Sequence, residues 1–149
     1  MKRTTIFKTN EGYVGAIVLQ PEGFYCGYVG IPHHHRLYGF DYSTLTDIDV
    51  HGDLTYGRVQ SKPYHYPTKD EKYDGLFFFG FDAHHFTDKI HPELVLGMKE
   101  EFSQHELNLA KMALEIAYAN LEDENATFKT FDFIKEQVES LSRQLKERE

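Results

Sequence analysis

Four titratable side chains follow directly on an apolar stretch of the chain. Residues 75–81 read Gly-Leu-Phe-Phe-Phe-Gly-Phe, and Asp82, His84, His85 and Asp88 come next. In an extended chain Asp82 and His84 share a face, whereas in a helical turn His85 and Asp88 meet at a spacing of three. Either arrangement places a carboxylate beside an imidazole, which fixes the tautomer of the histidine and raises its basicity. The sequence therefore predicts a polar site at the end of this apolar segment.

Imidazoles and carboxylates are also the ordinary ligands of zinc, manganese and iron. Eight of the nine histidines lie between residues 33 and 91, at positions that read as loops or strand ends. However, the chain contains no His-Glu-x-x-His motif and no pair of cysteines at a metal-binding spacing. We therefore expect no cofactor, and a metal ion stays an open alternative.

Two further kinds of chemistry fit the same residue types. His51 or His85, assisted by Asp82 or Asp88, would serve as a general acid or base in a hydrolase that cleaves a phosphodiester or a related nucleotide bond. Alternatively, histidines and aspartates bind the hydroxyl or phosphate groups of a small polar ligand, and tyrosines stack on it. The stacking candidates are Tyr28, Tyr38 and Tyr42. A structural explanation is that the histidines only cap strands and join loop networks.

The first half of the chain has the composition of an antiparallel sheet. Two runs of β-branched and aromatic residues flank the turn sequence Gln20-Pro21-Glu22-Gly23, which predicts a hairpin. The proline-rich, charged segment 61–74 predicts an exposed loop. We expect about four to five strands between about residue 4 and residue 81. The candidate strands are residues 13–19, 24–31, 48–51, 54–59 and 75–81.

The second half changes to helical periodicity. Ser103-Gln104-His105-Glu106 forms a capping box, and a second helix is expected from about Thr130. The predicted class is α+β, a single domain over residues 1–149 with two C-terminal helices packed on the sheet. Alternatively, the last helix pairs across a homo-oligomer interface. The apolar stripes are Leu107, Ala110, Leu114, Ala117 and Leu121 in the first helix, and Phe131, Ile134, Val138, Leu141 and Leu145 in the second.

The charge and composition of the chain limit the classes of partner that it can bind. The formal net charge is −8 and no cluster of Lys and Arg is present, which excludes a general nucleic-acid binder. No apolar run reaches the roughly 20 residues that cross a bilayer, and the basic N-terminus is not followed by an apolar leader. The single cysteine, Cys26, fits a reducing compartment. We therefore expect a cytoplasmic protein without membrane contact, and the acidic helices leave a protein-interaction module as another alternative.

Three blocks of the sequence resemble the signature motifs of a family of small proteins from bacteria, phages and other mobile elements. The blocks are YCGYVGIPHHHRLYGFDY at residues 25–42, VHGDLTY at 50–56 and FFFGFDAHHFTD at 77–88. The family pattern joins Gly-Tyr-Cys-Gly-Tyr-Val, His-Pro-Leu-Tyr-Gly, Val-His-Gly-Gly-Leu-Thr and Trp-Trp-Phe-Gly-Phe-Asp-Cys-Ala-His-x-x-Asp. Residues 93–124 then count as a helical insertion peculiar to this branch. The chain departs from the pattern at Arg36, Asp53 and Ala83, which stand where the family has Pro, Gly and Cys.

The resemblance implies a set of site residues and a setting. It places the family histidines on His35, His51 and His85, and we expect these three to surround a shared hollow with Asp82. Its mobile-element setting implies a phage-encoded protein of the host cytoplasm that sequesters a nucleotide immune-signalling molecule. The catalytic residues, if the protein is an enzyme, would be His51, His85 and Asp82. The predicted ligand-binding residues are Tyr28, His35, Arg36, Tyr38, Asp41, Tyr42, His51, Thr55, Asp82, His85 and Asp88.

Overall fold

Five strands form an antiparallel sheet in the computed structural model of the protein, which describes residues 2–119 and 125–149. Their order across the sheet is β1-β2-β3-β5-β4. The predicted hairpin is confirmed, since β2 and β3 pair around the turn at residues 20–23. The α+β class is confirmed as well. The strands are β1 (Thr4–Lys8), β2 (Val14–Leu19), β3 (Tyr25–Ile31), β4 (Tyr56–Val59) and β5 (Phe77–Asp82).

The strand expected at residues 48–51 is wrong. Ile48 and Val50 are buried, as a strand pattern suggests, but the backbone between them bonds to side chains rather than to a neighbouring strand. The side chain of Gln144 accepts a hydrogen bond from the Asp49 N–H at 2.8 Å and donates one to the Asp49 carbonyl at 2.8 Å. A glutamine amide has the same donor and acceptor as a peptide group, so it replaces the missing strand.

Within the described residues, three α-helices follow the sheet. They are α1 (Pro92–Leu96), α2 (Gln104–Ala119) and α3 (Phe131–Lys146). The capping box before α2 is confirmed, because the Ser103 N–H donates to Glu106 Oε1 at 3.0 Å and the Glu106 N–H donates to Ser103 Oγ at 3.1 Å. Thr130 caps α3 through a bond from the Phe133 N–H. None of the described helices is long and apolar enough to span a membrane.

The core lies between the sheet and α3. Ile134, Val138, Leu141 and Leu145 of α3 are fully buried against β2 and β3, as the predicted stripe requires. Burying each such side chain contributes about 1.5–3 kcal/mol. Gly27 of β3 permits this approach, because a β-carbon there would lie 2.7 Å from Val138 Cγ2. This stripe is occupied within the chain, so a homo-oligomer through α3 would have to use its outer surface.

The other helices extend the same core. Helix α2 packs against α1 and adds Leu107 and Ala110 to the core cluster. Leu121, the last position of the predicted α2 stripe, lies outside the described residues. A further two-stranded parallel pair joins β6 (Asp88–Lys89) to β7 (Thr127–Phe128). No sequence pattern predicted this pair, because each strand is only two residues long.

The second face of the sheet is covered by residues 60–75. Tyr66 packs on a smaller core cluster that contains Cys26, Tyr28 and Phe78. The buried Gln60 side chain fixes this segment, since it accepts bonds from Thr68 and donates to the Asp70 carbonyl and the Asp74 carboxylate. The segment was expected to be an exposed loop, yet its middle part is buried.

Candidate functional site

Two histidine–aspartate pairs lie side by side beyond the end of β5. His51 Nε2 lies 2.9 Å from both carboxylate oxygens of Asp88. His85 Nε2 lies 3.3 Å from Asp82 Oδ1. The two imidazole rings meet edge to face, with their centroids 5.8 Å apart. A carboxylate thus approaches an imidazole twice, as expected. The pairs are His51–Asp88 and His85–Asp82, which the spacing of the residues did not specify.

Separate parts of the chain position these four side chains. Asp82 is the last residue of β5, and Thr55 Oγ1 just before β4 donates to its Oδ2 at 3.0 Å. Asp88 begins β6. The turn that carries His51 is tied to α3, because the His51 N–H donates to Gln137 Oε1 at 2.9 Å. The cluster therefore joins strand ends, a turn and a helix, and its geometry depends on the whole fold.

Asp88 is the best-connected member of the cluster, and its side chain is 0% exposed. Lys129 Nζ lies 3.0 Å from its Oδ1, and the His85 N–H donates to its Oδ2 at 3.0 Å. Burial alone would raise the pKa of this carboxyl, but the bonds from His51, Lys129 and the His85 backbone outweigh it and lower the pKa. Asp88 is therefore a fixed anion, and the His51 ring donates to it through Nε2.

The imidazole of His85 has weaker polar contacts than that of His51, and close packing restricts its position. Although His85 Nε2 lies within ion-pair distance of Asp82, it is buried and forms no well-oriented hydrogen bond with any described residue. Gly52, with φ +68°, presses against the same nitrogen, and a β-carbon there would collide with the imidazole. The side chain as a whole is 33% exposed, although Nε2 itself is buried.

A cavity of about 460 Å³ opens beside this cluster. Its polar lining includes Asp88 and three imidazoles, those of His84, His85 and His91. Its apolar lining includes Phe86, which is 91% exposed, and Tyr118, which is 60% exposed. The volume falls within the usual range for small-molecule sites, about 300–1,000 Å³. Large exposed aromatic side chains beside a cavity typically mark a site of contact with another molecule.

The structure does not bring His35 into this cluster. His35 is 3% exposed, its Nε2 lies 2.7 Å from the Leu145 carbonyl, and its Nδ1 accepts from the Leu37 N–H at 3.0 Å. On α3, Leu145 lies eight residues beyond Gln137, the partner of His51, which corresponds to about 12 Å along the axis. The expected hollow shared by His35, His51 and His85 is therefore not formed, because His35 anchors the end of α3 instead.

Tyr28 also lies elsewhere, on the second face of the sheet. Its hydroxyl is 2.6 Å from that of Tyr66, and its ring is 4% exposed. Burial raises the pKa of both phenols, that of Tyr66 to about 12. The ring packs in the smaller core cluster, so it offers no face on which a ligand can stack.

The four remaining predicted residues lie in the loop that follows β3. Tyr38 donates to the Gly75 carbonyl at 2.7 Å and stacks on His33. Asp41 caps a short helical turn by accepting from the Ser43 N–H. Tyr42 packs on the main core, and Arg36 is exposed and makes no hydrogen bond or ion pair with another described residue. None of these four side chains lines the cavity.

Sequence reasoning missed several residues of the site. Lys129 reaches Asp88 only because β7 pairs with β6, and Gln137 reaches His51 only because α3 packs across the sheet. His84 is not among the predicted ligand-binding residues, yet it lines the cavity and stacks on Phe24 with ring centroids 4.4 Å apart. One residue could have indicated the site from the sequence. Phe86 is an aromatic residue among polar neighbours, a position where an aromatic side chain is expected to be exposed.

Comparisons with known proteins do not assign the chain to a family: no protein-family model, no curated protein and no solved structure matches it. The resemblance to mobile-element proteins therefore stays a prediction. Among residues 2–119 and 125–149, no three His, Cys, Asp or Glu side chains converge as a metal site requires.

Proposed function

We propose that the protein is a binding module for a small polar ligand that carries an aromatic ring, with a nucleotide as the favoured class. The observation that carries this proposal is the cavity of about 460 Å³ beside the paired His51–Asp88 and His85–Asp82 side chains. Its rim offers Phe86 and Tyr118 for a base, and its polar wall offers imidazoles for hydroxyl or phosphate groups.

The polar groups that line the cavity include both hydrogen-bond donors and acceptors, which supports a ligand that carries both. His84, His85 and His91 line the cavity, and a neutral imidazole carries one donor and one acceptor. Lys89 adds a cation, whereas Glu93 adds an anion. A sugar with its hydroxyl groups pairs with such a mixture better than a purely anionic ligand does. A nucleotide immune messenger, held intact, is the biological ligand that the resemblance to mobile-element proteins favours.

The experiment is an incubation and release. The purified protein is mixed with a panel of nucleotides, separated from free ligand and heat-denatured, and the released compounds are identified by mass spectrometry. We expect one nucleotide class to be enriched and recovered with unchanged mass. His84→Ala with His91→Ala should lower the enrichment, whereas His34→Ala with His105→Ala removes two exposed imidazoles outside the cavity and should not. Equal recovery from both double variants would contradict the proposal.

A hydrolase is the second candidate, and the adjacency of two imidazole–carboxylate pairs favours it. One imidazole would accept a proton from water while the other donates one to the leaving group, as general acid–base catalysis requires. His51 and His85 are the residues in these roles, with Asp88 and Asp82 orienting them. The same incubation distinguishes the two functions, because hydrolysis changes the masses of the released compounds.

A further inference from the structure

A second depression lies at the edge of the sheet, where residues 61–66 fold over the edge strand β4. It measures about 350 Å³, and we define the β4 cleft by five of its lining residues. These residues are Tyr56, Arg58, Lys62, Tyr64 and Tyr66. The cleft shares no lining residue with the cavity beside the two His–Asp pairs.

Strand alternation explains why Tyr56 and Arg58 both face the cleft. They are two residues apart on β4, so their side chains leave the same face of the sheet. Across the ladder, Arg58 pairs with Phe78 of β5, which belongs to the smaller core cluster. Because β4 is an edge strand, the guanidinium passes beyond this cluster and reaches solvent.

The opposite wall of the cleft is held in place by the polar network under residues 60–75. Gln60 is 0% exposed and binds both Thr68 and Asp74. His65 Nδ1 lies 2.7 Å from Asp74 Oδ2, which ties the wall to the same network. Lys62 and Tyr64 therefore project from a segment whose backbone is fixed, and a site on it needs little ordering when a ligand binds.

Two cations line the cleft, although the protein as a whole is acidic. The protein has a formal net charge of −8, and Arg3, Lys129 and Arg148 each lie against a carboxylate. Neither Arg58 nor Lys62 forms an ion pair with any described residue. Two neighbouring cations without a carboxylate partner on an acidic protein form a local positive site for an anion.

Aromatic surface accompanies these cations. Tyr64 is 74% exposed, and the rings of Tyr56 and Tyr66 meet with centroids 6.0 Å apart in the floor of the cleft. Burial raises the pKa of the Tyr56 phenol and the charge of Arg58 opposes that rise, which places the guanidinium close to this ring. An exposed tyrosine ring above an aromatic floor suits a flat ligand.

We propose that the β4 cleft binds a small phosphorylated aromatic compound. Arg58 would hold the phosphate through its planar fork of donors and Lys62 would add a point charge, the roles for which these two side chains are suited. Tyr64 would stack on the ring of the ligand. This site is independent of the proposed function, since it uses other lining residues.

Phenyl phosphate is the probe, and its binding is followed through amide shifts in ¹H–¹⁵N NMR spectra. We expect saturable shifts at the cleft, weaker binding of inorganic phosphate and of phenol, and a loss of at least roughly tenfold in affinity for Arg58→Ala with Lys62→Ala. Lys72→Ala with Lys111→Ala removes the same charge from exposed positions outside the cleft and should leave the affinity within about twofold. Tyr64→Ala should weaken phenyl phosphate but not inorganic phosphate.

Several results would overturn the proposal. They are the absence of saturable shifts at the cleft, an equal loss of affinity in the two double variants, or equal affinity for phosphate and phenyl phosphate. His84→Ala with His91→Ala serves as a cross-check, because it removes imidazoles from the other cavity and should leave phenyl phosphate binding unchanged. The two sites can therefore fail separately.

Discussion

The histidines of this chain have three different roles, and their partners decide which. His51 and His85 each meet an aspartate beside a cavity, whereas His35 is buried between a loop and the last turn of α3. His84 and His91 line the cavity without being buried. The sequence identified the residue types that can do chemistry, but only the packed fold separates binding candidates from structural ones.

His35 gives the first prediction at this scale. We expect His35→Ala to lower the free energy of unfolding by about 2 kcal/mol, because it leaves the buried Leu37 N–H without a partner and removes the bond from the loop to the Leu145 carbonyl. Urea unfolding measures this change. His34→Ala, at an exposed neighbouring position, should change it by less than about 0.5 kcal/mol. Equal stability of the two variants would show that His35 does not anchor α3.

The second prediction at the residue scale concerns the reactivity of the Cys26 thiol. Its side chain is 7% exposed, and burial raises the pKa of the thiol to about 12, although hydrogen bonds from Tyr28 and Gln20 act in the opposite direction. Only the thiolate reacts, and roughly one thiol in ten thousand would be ionised at pH 8. We therefore expect almost no reaction with Ellman's reagent in the native protein and stoichiometric reaction in urea. Rapid reaction of the native protein would place Cys26 at the surface instead.

At the scale of elements, the sequence predicted what depends on near neighbours. The hairpin of β2 and β3, the capping box of α2 and the apolar stripe of α3 each follow from short-range patterns, and each is present. Residues 48–51 have the composition of a strand, but their backbone partners are glutamines of α3 almost a hundred residues away. The β6–β7 pair also depends on distant residues. The spacing of residues along the chain does not predict such distant partners.

Gln144 tests this long-range pairing. We expect Gln144→Ala to lower the free energy of unfolding by about 1–2 kcal/mol, because both backbone groups of Asp49 lose their partner. Amide hydrogen exchange should become faster at residues 47–51 before it changes in the sheet. Glu136→Ala, at an exposed position of the same helix, is the control and should leave exchange in this loop as it is. Unchanged protection in Gln144→Ala would contradict the pairing.

At the scale of the whole molecule, the fold places one candidate site at the end of β5 and the other beside the edge strand β4. Helix α3 closes one face of the sheet and sets the position of His51, whereas residues 60–75 close the other and form a wall of the β4 cleft. Ionised carboxylates hold parts of this arrangement together. Asp88 joins the β6–β7 pair to the His51 turn, and Glu106 joins α2 to Arg3 before β1.

These carboxylates predict how stability depends on pH. Burial opposes ionisation of Asp88 and Glu106, but their hydrogen bonds and ion pairs outweigh it and lower both pKa values below the ordinary 3.8 and 4.5. A group with a lowered folded pKa contributes stability above its unfolded pKa, and that stability is lost as the pH falls through the folded value. We therefore expect the free energy of unfolding to fall below about pH 4.

Asp88→Asn isolates one of these groups. The variant should be less stable than the natural protein at pH 7, by about 1–3 kcal/mol, and the difference should narrow as the pH falls below 4. Urea unfolding at a series of pH values measures it. Two parallel curves would mean that the ionisation of Asp88 does not contribute to stability.

The central claim is that the cavity beside the two histidine–aspartate pairs receives a small ring-bearing ligand. It is tested most directly by titrating the protein with the nucleotide panel and recording ¹H–¹⁵N spectra of the histidine side chains. We predict saturable shifts in the rings of His84, His85 and His91, with those of His35 and His65 unchanged because they are engaged elsewhere. If no nucleotide moves the cavity histidines, or if His35 and His65 move in their place, the cavity is not the ligand site.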